Sequence, residues 1–158
     1  MSFIEPLLAL QDVDMQILRL QQELKDYPAR QQNEEIRLAE LAREQAEIEN
    51  SGDAAQIDAI SAEIADINAF IAEIVERRAE VEAELATLKA SREELAKNVS
   101  FEHLRIYDRL RISRRPTIVK LANGTCGGCH LVQPPAVSQL IKRGDQLVIC
   151  EMCGRILY

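Results

Sequence analysis

The four cysteines of this chain stand as two pairs, Cys126-Gly-Gly-Cys129 and Cys150-Glu-Met-Cys153, with twenty residues between them. Each C-x-x-C sets two sulfurs on one tight turn. Two such turns facing each other bring four thiolates to the corners of a tetrahedron, the arrangement that Zn²⁺ takes. Gly127, Gly128 and Gly154 are read as parts of the same turns, because glycine takes positive φ without steric cost and leaves backbone N–H groups free to fold beneath a metal. The expectation is one structural Zn²⁺ on Cys126, Cys129, Cys150 and Cys153. Four thiolates fill every position of a tetrahedral ion, so this metal holds a fold and has no open place for water or substrate.

Three other uses of four cysteines compete with this one. Two disulfides would suit a secreted chain, but Met1-Ser2-Phe3 opens no charged region followed by an apolar run and a small-residue cleavage site, which favours a reducing cytoplasm. A thioredoxin-like redox pair calls for a single C-x-x-C beside a βαβ pattern, whereas here two pairs lie among short strand-like runs. An iron site of the rubredoxin kind has the same spacing, and spacing alone does not separate it from zinc.

The rest of the chain is of a different character. Only 4% of residues are aromatic, none is Trp, and 28% are charged, the composition of long helices. The net charge of −7 is unevenly spread: residues 1–112 carry 24 acidic and 13 basic side chains, residues 113–158 carry 2 and 6. No run of eighteen apolar residues occurs, so no membrane-spanning helix is expected.

Ser2 and Glu5 have capping-box spacing, with Pro6 in the first turn of the helix they would open. Leu10, Val13, Ile17, Leu20, Leu24 and Tyr27 then step by three and four residues, flanked by Leu7, Leu8 and Leu18. Pro28 lacks an N–H and biases Tyr27 away from αR, so the helix should break or kink there; a kink is expected, with helix resuming by Arg30. A weaker seam follows at Leu38, Leu41, Gln45 and Ile48, with Ile36 beside it. Asn50-Ser51-Gly52-Asp53 gathers turn formers, and Asp53 lies three before Gln56 as a helix cap. Ile57, Ile60, Ile64, Ile67, Ile71, Ile74, Arg78, Val81, Leu85, Leu88, Arg92, Leu95 and Val99 make the cleanest seam, a pattern that argues coiled coil. Arg78 and Arg92 interrupt it and are expected to snorkel at its edge.

Reflection about Ser51-Gly52 places Leu7 near Ala96. The expected fold is therefore mainly α: a long antiparallel coiled-coil hairpin over residues 1–113, with its tip near 50–53, then a small C-terminal β zinc ribbon over 114–158. Ser100 recaps a connecting helix with Leu104, Ile106, Tyr107 and Leu110. In the ribbon, Thr117–Leu121, Gln146–Ile149 and Arg155–Tyr158 read as strands, Asn123-Gly124 as a turn and Pro135–Lys142 as a short helix.

Tyr107-Asp-Arg-Leu-Arg, Ile118-Val119, Asn123-Gly-Thr-Cys-Gly-Gly-Cys-His130, Pro134-Pro135, Gly144-Asp145 and Cys150-x-x-Cys-Gly-Arg-Ile-Leu-Tyr158 resemble the bacterial C4-type zinc ribbon proteins with an N-terminal coiled-coil hairpin. The resemblance covers residues 100–158 in motif and the remainder in architecture; members of that family usually carry a longer hairpin. It implies no known catalysis, and adaptor-like roles in flagellar or secretion-linked regulation, through an alternative sigma factor, a secretion component or messenger RNA.

Two functions are thus carried forward. One is a non-enzymatic adaptor that binds protein partners, as monomer or dimer. The other is nucleic-acid binding, RNA included, through a basic collar of Arg105, Arg109, Arg111, Arg114, Arg115 and Lys120, joined by Lys142 and Arg143. His103 and His130 are the only histidines and neither accompanies a Ser or spare Cys in a nucleophile pattern, nor does any Gly-rich phosphate loop occur, so no enzyme is expected.

Overall fold

A computed structural model describes residues 3–49 and 53–158; the Ser2 end of the capping box and the hairpin tip at 50–52 lie outside the described residues. Helices α1 (Ile4–Glu49) and α2 (Ala54–Ala96) form a hairpin, followed by α3 (Phe101–Arg111) and a small β region that contains α4 (Pro135–Arg143). Two caps expected from local spacing are present. Asp53 Oδ1 accepts from the Gln56 N–H at 3.2 Å, and Ser100 Oγ accepts from the His103 N–H at 3.4 Å. Among the described residues, no helix is long and apolar enough to cross a membrane.

α1 runs through Pro28 without interruption, so the helix does not break there and resume. Proline removes one hydrogen bond from a 46-residue helix. Buried Leu20 and Tyr27 anchor the helix just ahead of it, and tertiary packing of this kind overrides a single unfavourable residue.

The chain divides into two compact units, one of Leu18–Thr87 and one of Met1–Ile17 with Leu88–Tyr158. In the first, Ile60, Ile67, Ile74 and Val81 are buried at a strict seven-residue interval, with Leu85 beyond them. The weaker stretch of α1 keeps its register, since Leu38, Leu41, Gln45 and Ile48 are half-buried while Ile36 is exposed. Polar contacts set the helix direction: Glu23 bonds with Arg77, Arg37 with Glu63 and Gln45 with Ser61. One residue number rises as the other falls, so the two helices run antiparallel within one chain. Arg78 lies exposed and pairs with Glu82 at 2.9 Å, as a residue at the seam's edge should.

The second unit departs from the expected boundary at 113/114. Leu7 and Leu10 of α1, Tyr107 of α3, and Ile118 and Ile156 of the ribbon form one buried cluster, with Leu95, Ala96 and Val99 packed against it. Full burial of each such aliphatic side chain is worth about 1.5–3 kcal/mol. The ends of the hairpin and the ribbon therefore share a core, and a cut at residue 113 would pass through it.

Five two-residue strands build the β region: β1 (Ile118–Val119), β2 (Leu121–Ala122), β3 (Thr125–Cys126), β4 (Val148–Ile149) and β5 (Ile156–Leu157). β5 lies between β1, which is parallel to it, and β4, which is antiparallel. β2 and β3 form a hairpin turned by Asn123 (φ 51°) and Gly124 (φ 75°), the pair of left-handed residues that a tight two-residue turn requires. The expected strand at Thr117–Leu121 is divided at Lys120 between the two sheets.

Two side-chain contacts fix α1 in this unit, one to the ribbon and one to α2 and α3. β1 bonds to β5 through the carbonyls of Thr117 and Val119, which leaves both polar groups of Ile118 facing the other way. Gln11 of α1 meets them: its Oε1 accepts from the Ile118 N–H at 2.6 Å, and its Nε2 donates to the Ile118 carbonyl at 3.1 Å. The second contact is Asp14, only 8% exposed, which accepts from Arg92 Nε at 2.7 Å, Arg111 Nη1 at 3.2 Å and the Tyr107 hydroxyl at 3.0 Å. Arg92 also pairs with Asp108. Arg92 is therefore not a snorkelling edge residue but the α2 member of an ionic node. Burial opposes its charge, yet the hydrogen bonds and charges of Asp14 and Asp108 hold it more firmly protonated than a free arginine.

Gln11→Ala should cost about 2–4 kcal/mol, because it strands a buried N–H and a buried carbonyl together; urea unfolding of the zinc-saturated protein measures this. Burial, and then the Asp14 charge, raise Tyr107 well above the ordinary phenol value of 10.0. A group raised on folding contributes stability that is complete below its unfolded value and is lost as pH climbs toward the folded one. Stability should thus decline above about pH 10, and Tyr107→Phe should flatten that decline in unfolding curves taken across the alkaline range.

Candidate metal centre

The local fold explains why these four cysteines converge. Cys126 ends β3 and Cys150 follows β4, and each begins the same turn. The Cys126 N–H donates to the Leu131 carbonyl at 3.0 Å and the Cys150 N–H to the Arg155 carbonyl at 2.8 Å. One residue past the second cysteine of each pair, the His130 N–H closes on the Cys126 carbonyl at 2.9 Å and the Gly154 N–H on the Cys150 carbonyl at 2.8 Å. His130 (φ 60°) and Gly154 (φ 71°) are both left-handed. The two knuckles are copies of one turn, with glycine at the left-handed position in one and histidine, a residue tolerant of that region, in the other.

Gly127 and Gly128 serve a different purpose from the one their position suggested. Neither has positive φ; both are glycine because of crowding. A Cβ on Gly127 would lie 2.9 Å from the Lys120 carbonyl oxygen, and one on Gly128 would lie 2.5 Å from Arg155 Cδ. The Gly128 N–H does serve the site, donating to Cys126 Sγ at 3.4 Å.

All four sulfurs lie within 4.8 Å of one another. Cys126 to Cys153 and Cys129 to Cys150 are each 3.8 Å apart. A tetrahedron with Zn–S bonds of about 2.3 Å has edges of about 3.8 Å, whereas a disulfide would need about 2.05 Å. Donor number, donor type and spacing all fit a single Zn²⁺. Val119, Leu157, Val137 and Ile141 surround the sulfurs, which limits access of water.

As bare thiols the four groups would not titrate alike. The Leu131 backbone lowers Cys129, but burial and the neighbouring sulfurs outweigh it and push that thiol up to about 11. Burial also works against Cys153, yet hydrogen bonding from Arg155 and the other sulfurs brings it down to about 6. Metal binding must therefore displace protons.

The expected basic collar is only partly a free surface. Arg111 spends its guanidinium on Asp108 and Asp14, Arg114 donates to the Cys153 carbonyl at 2.8 Å, and Arg115 donates to the Arg111 carbonyl at 3.1 Å. Arg143 pairs with Asp145 at 2.9 Å. The side chains of Arg105, Arg109, Lys120 and Lys142 are exposed and have no ion-pair partner among the described residues. Arg155, quoted in the terminal motif but given no role there, buttresses the site by donating to the Pro116 carbonyl at 2.9 Å. Its sequence signals were its place in the terminal Cys-Gly-Arg-Ile-Leu-Tyr motif and the glycine at 128 that makes room for it.

Residues 125–157 match the C4-type zinc ribbon domain, the span that holds all four cysteines. No curated protein matches the chain in sequence. Among solved structures, CT398 from Chlamydia trachomatis is similar, with 21% identity over 98% of this chain and 84% of that one and a TM-score of 0.52. HP0958 from Helicobacter pylori CCUG 17874 matches with 17% identity over 99% and 82% of the two chains and a TM-score of 0.40. A structurally characterised Mycobacterium smegmatis protein matches with 18% identity over 98% and 84% and a TM-score of 0.43. The likeness to CT398 is one of fold.

Protein purified under reducing conditions should contain one zinc per chain by elemental analysis. Cys150→Ser should abolish this and unfold residues 117–158. Because Ile118 and Ile156 leave the shared core with the ribbon, the variant should also loosen the adjoining helix ends, while the helicity of Leu18–Thr87 persists in far-UV circular dichroism. Loss of all helicity in a single transition would contradict this.

Proposed function

We propose that this chain is a non-enzymatic, zinc-stabilised adaptor that binds protein partners. The observation that carries this reading is the closure of the metal centre. Four sulfurs at tetrahedral separations leave a bound Zn²⁺ no position for substrate, and the groups around it serve structure. Of the histidines, His103 packs against Phe3 with ring centroids 4.8 Å apart and the rings tilted by 47°, and His130 supplies a turn. What the molecule offers its surroundings is surface, in the helices of the hairpin and the outer face of α3.

RNA binding through the collar is the competing reading. It is weakened by the commitment of Arg111, Arg114, Arg115 and Arg143 to internal partners, since polyanion affinity grows with the number of cations free to neutralise phosphates. Partners in transcription or in flagellar or secretion-linked regulation, in a bacterial cytoplasm, are the adaptor roles the family resemblance implies.

Affinity capture with the zinc-loaded chain, followed by nuclease treatment, tests the proposal. A protein should stay bound after nuclease and bind the purified chain directly. Tight binding of single-stranded RNA at physiological salt, lost when Arg105, Arg109 and Lys120 become Ala in folded protein, would overturn it in favour of RNA.

A further inference from the structure

The outer face of α3 carries a stripe that nothing within the described chain covers. Phe101, Arg105, Arg109 and Ile112 succeed one another at steps of four, four and three residues, which aligns them along one side of a helix. Phe101 is 80% and Ile112 is 74% exposed. Between them, Arg105, Ile106 and Arg109 line a recess of 430 Å³. Neither guanidinium has a partner among the described residues, although Glu102 is only three residues from Arg105. Two free arginines framed by exposed apolar groups suit a surface of carboxylates around an aromatic ring, because guanidinium both pairs with carboxylate and stacks on ring faces.

The chain itself carries such a surface in its other unit. Leu18–Thr87 holds 17 acidic and 7 basic side chains, whereas Met1–Ile17 with Leu88–Tyr158 holds 9 and 12. On the acidic unit, Glu34, Glu63, Asp66 and Phe70 line a cleft of 300 Å³. Arg37 neutralises Glu63, but Glu34 and Asp66 have no cation among the described residues, and the Phe70 ring beside them is 48% exposed.

We propose that the α3 stripe is a self-association surface, on which Arg105 and Arg109 of one copy engage Glu34, Asp66 and Phe70 of a second copy. Made in both directions at once the contact closes an isologous dimer; made once per copy it is heterologous and builds short chains. Net charge of −7 opposes association at long range; at physiological salt that repulsion is screened beyond about 8 Å, while the paired groups act at contact.

Sedimentation velocity of the zinc-loaded full chain tests this, over a concentration series at about 0.05 M and about 0.5 M salt. Association should rise with concentration and weaken in high salt. Arg105→Glu with Arg109→Glu should weaken it about tenfold or more, as expected for loss of two ion pairs and a ring contact. Glu34→Lys with Asp66→Lys should do the same, and mixing the two variants should restore association between them. Circular dichroism checks that each variant is folded. A chain that stays monomeric at every concentration in low salt would sink the proposal, and so would association that both variants retain, or a mixture that fails to re-associate. Association that disappears on nuclease treatment would also reject it, showing that a polyanion bridges the copies.

Discussion

Gln11 does for β1 what a neighbouring strand would otherwise have to do. β1 is the outer strand of its sheet, two residues long, and an outer strand presents unpaired backbone groups that solvent or another chain must satisfy. A primary amide offers one donor and one acceptor side by side, the same pair that a strand offers. By bonding both groups of Ile118 from the helix side, Gln11 ends the sheet and fixes where α1 meets it. The apolar packing of Leu7 and Leu10 on Ile118 and Ile156 depends on that register, because a slip of one residue along β1 would turn its buried side chain to the opposite face.

Asp14, one turn further along α1, joins that helix to α2 and α3 with charge. A carboxylate this enclosed is costly unless its oxygens are met, and here two arginines and a phenol from α2 and α3 meet them. The arrangement is directional where the apolar core is not. Leucine and isoleucine accept many packings of similar energy, whereas a node in which donors from α2 and α3 converge on one buried carboxylate of α1 tolerates few. Arginine suits the node because its planar fork reaches Asp14 and Asp108 together.

Features whose cause lies within a few residues were legible in the sequence. The C-x-x-C pairs, the Asn123-Gly124 turn, the caps at Asp53 and Ser100 and the isoleucine seam of α2 each follow from local spacing, and the structure contains them all. The features that escaped were those whose partners are remote. Gln11 is 107 residues from Ile118 and Arg92 is 78 from Asp14, so nothing near either residue announces its role. Arg92 was legible as an interruption of the seam but not as an ionic partner, since a heptad pattern records which face a residue occupies and not what stands opposite. Pro28 shows the converse: its local penalty was plain, whereas the packing of Leu20 and Tyr27 in a helix that continues through it was not. Gly127 and Gly128 were recognised as part of the site, but for conformational freedom, when the actual constraint was the approach of Lys120 and Arg155.

The shared core gives the metal a reach that a closed four-sulfur site would otherwise lack. β1 and β5 carry adjacent residues into two clusters: Val119 and Leu157 pack with the metal-site cysteines, and Ile118 and Ile156 pack with the helices. Side chains alternate across a strand, so the same short strands form one wall of the metal centre and one wall of the helical core. Anything that loosens the sulfurs therefore withdraws apolar surface and the Gln11 contact from the helix ends together. The same coupling runs in reverse, because a helical core that holds β1 and β5 at fixed spacing presents the knuckles already near the tetrahedral separation that the ion requires. Metal affinity in this chain is thereby partly a property of Leu7, Leu10, Gln11 and Tyr107, residues that never touch the ion.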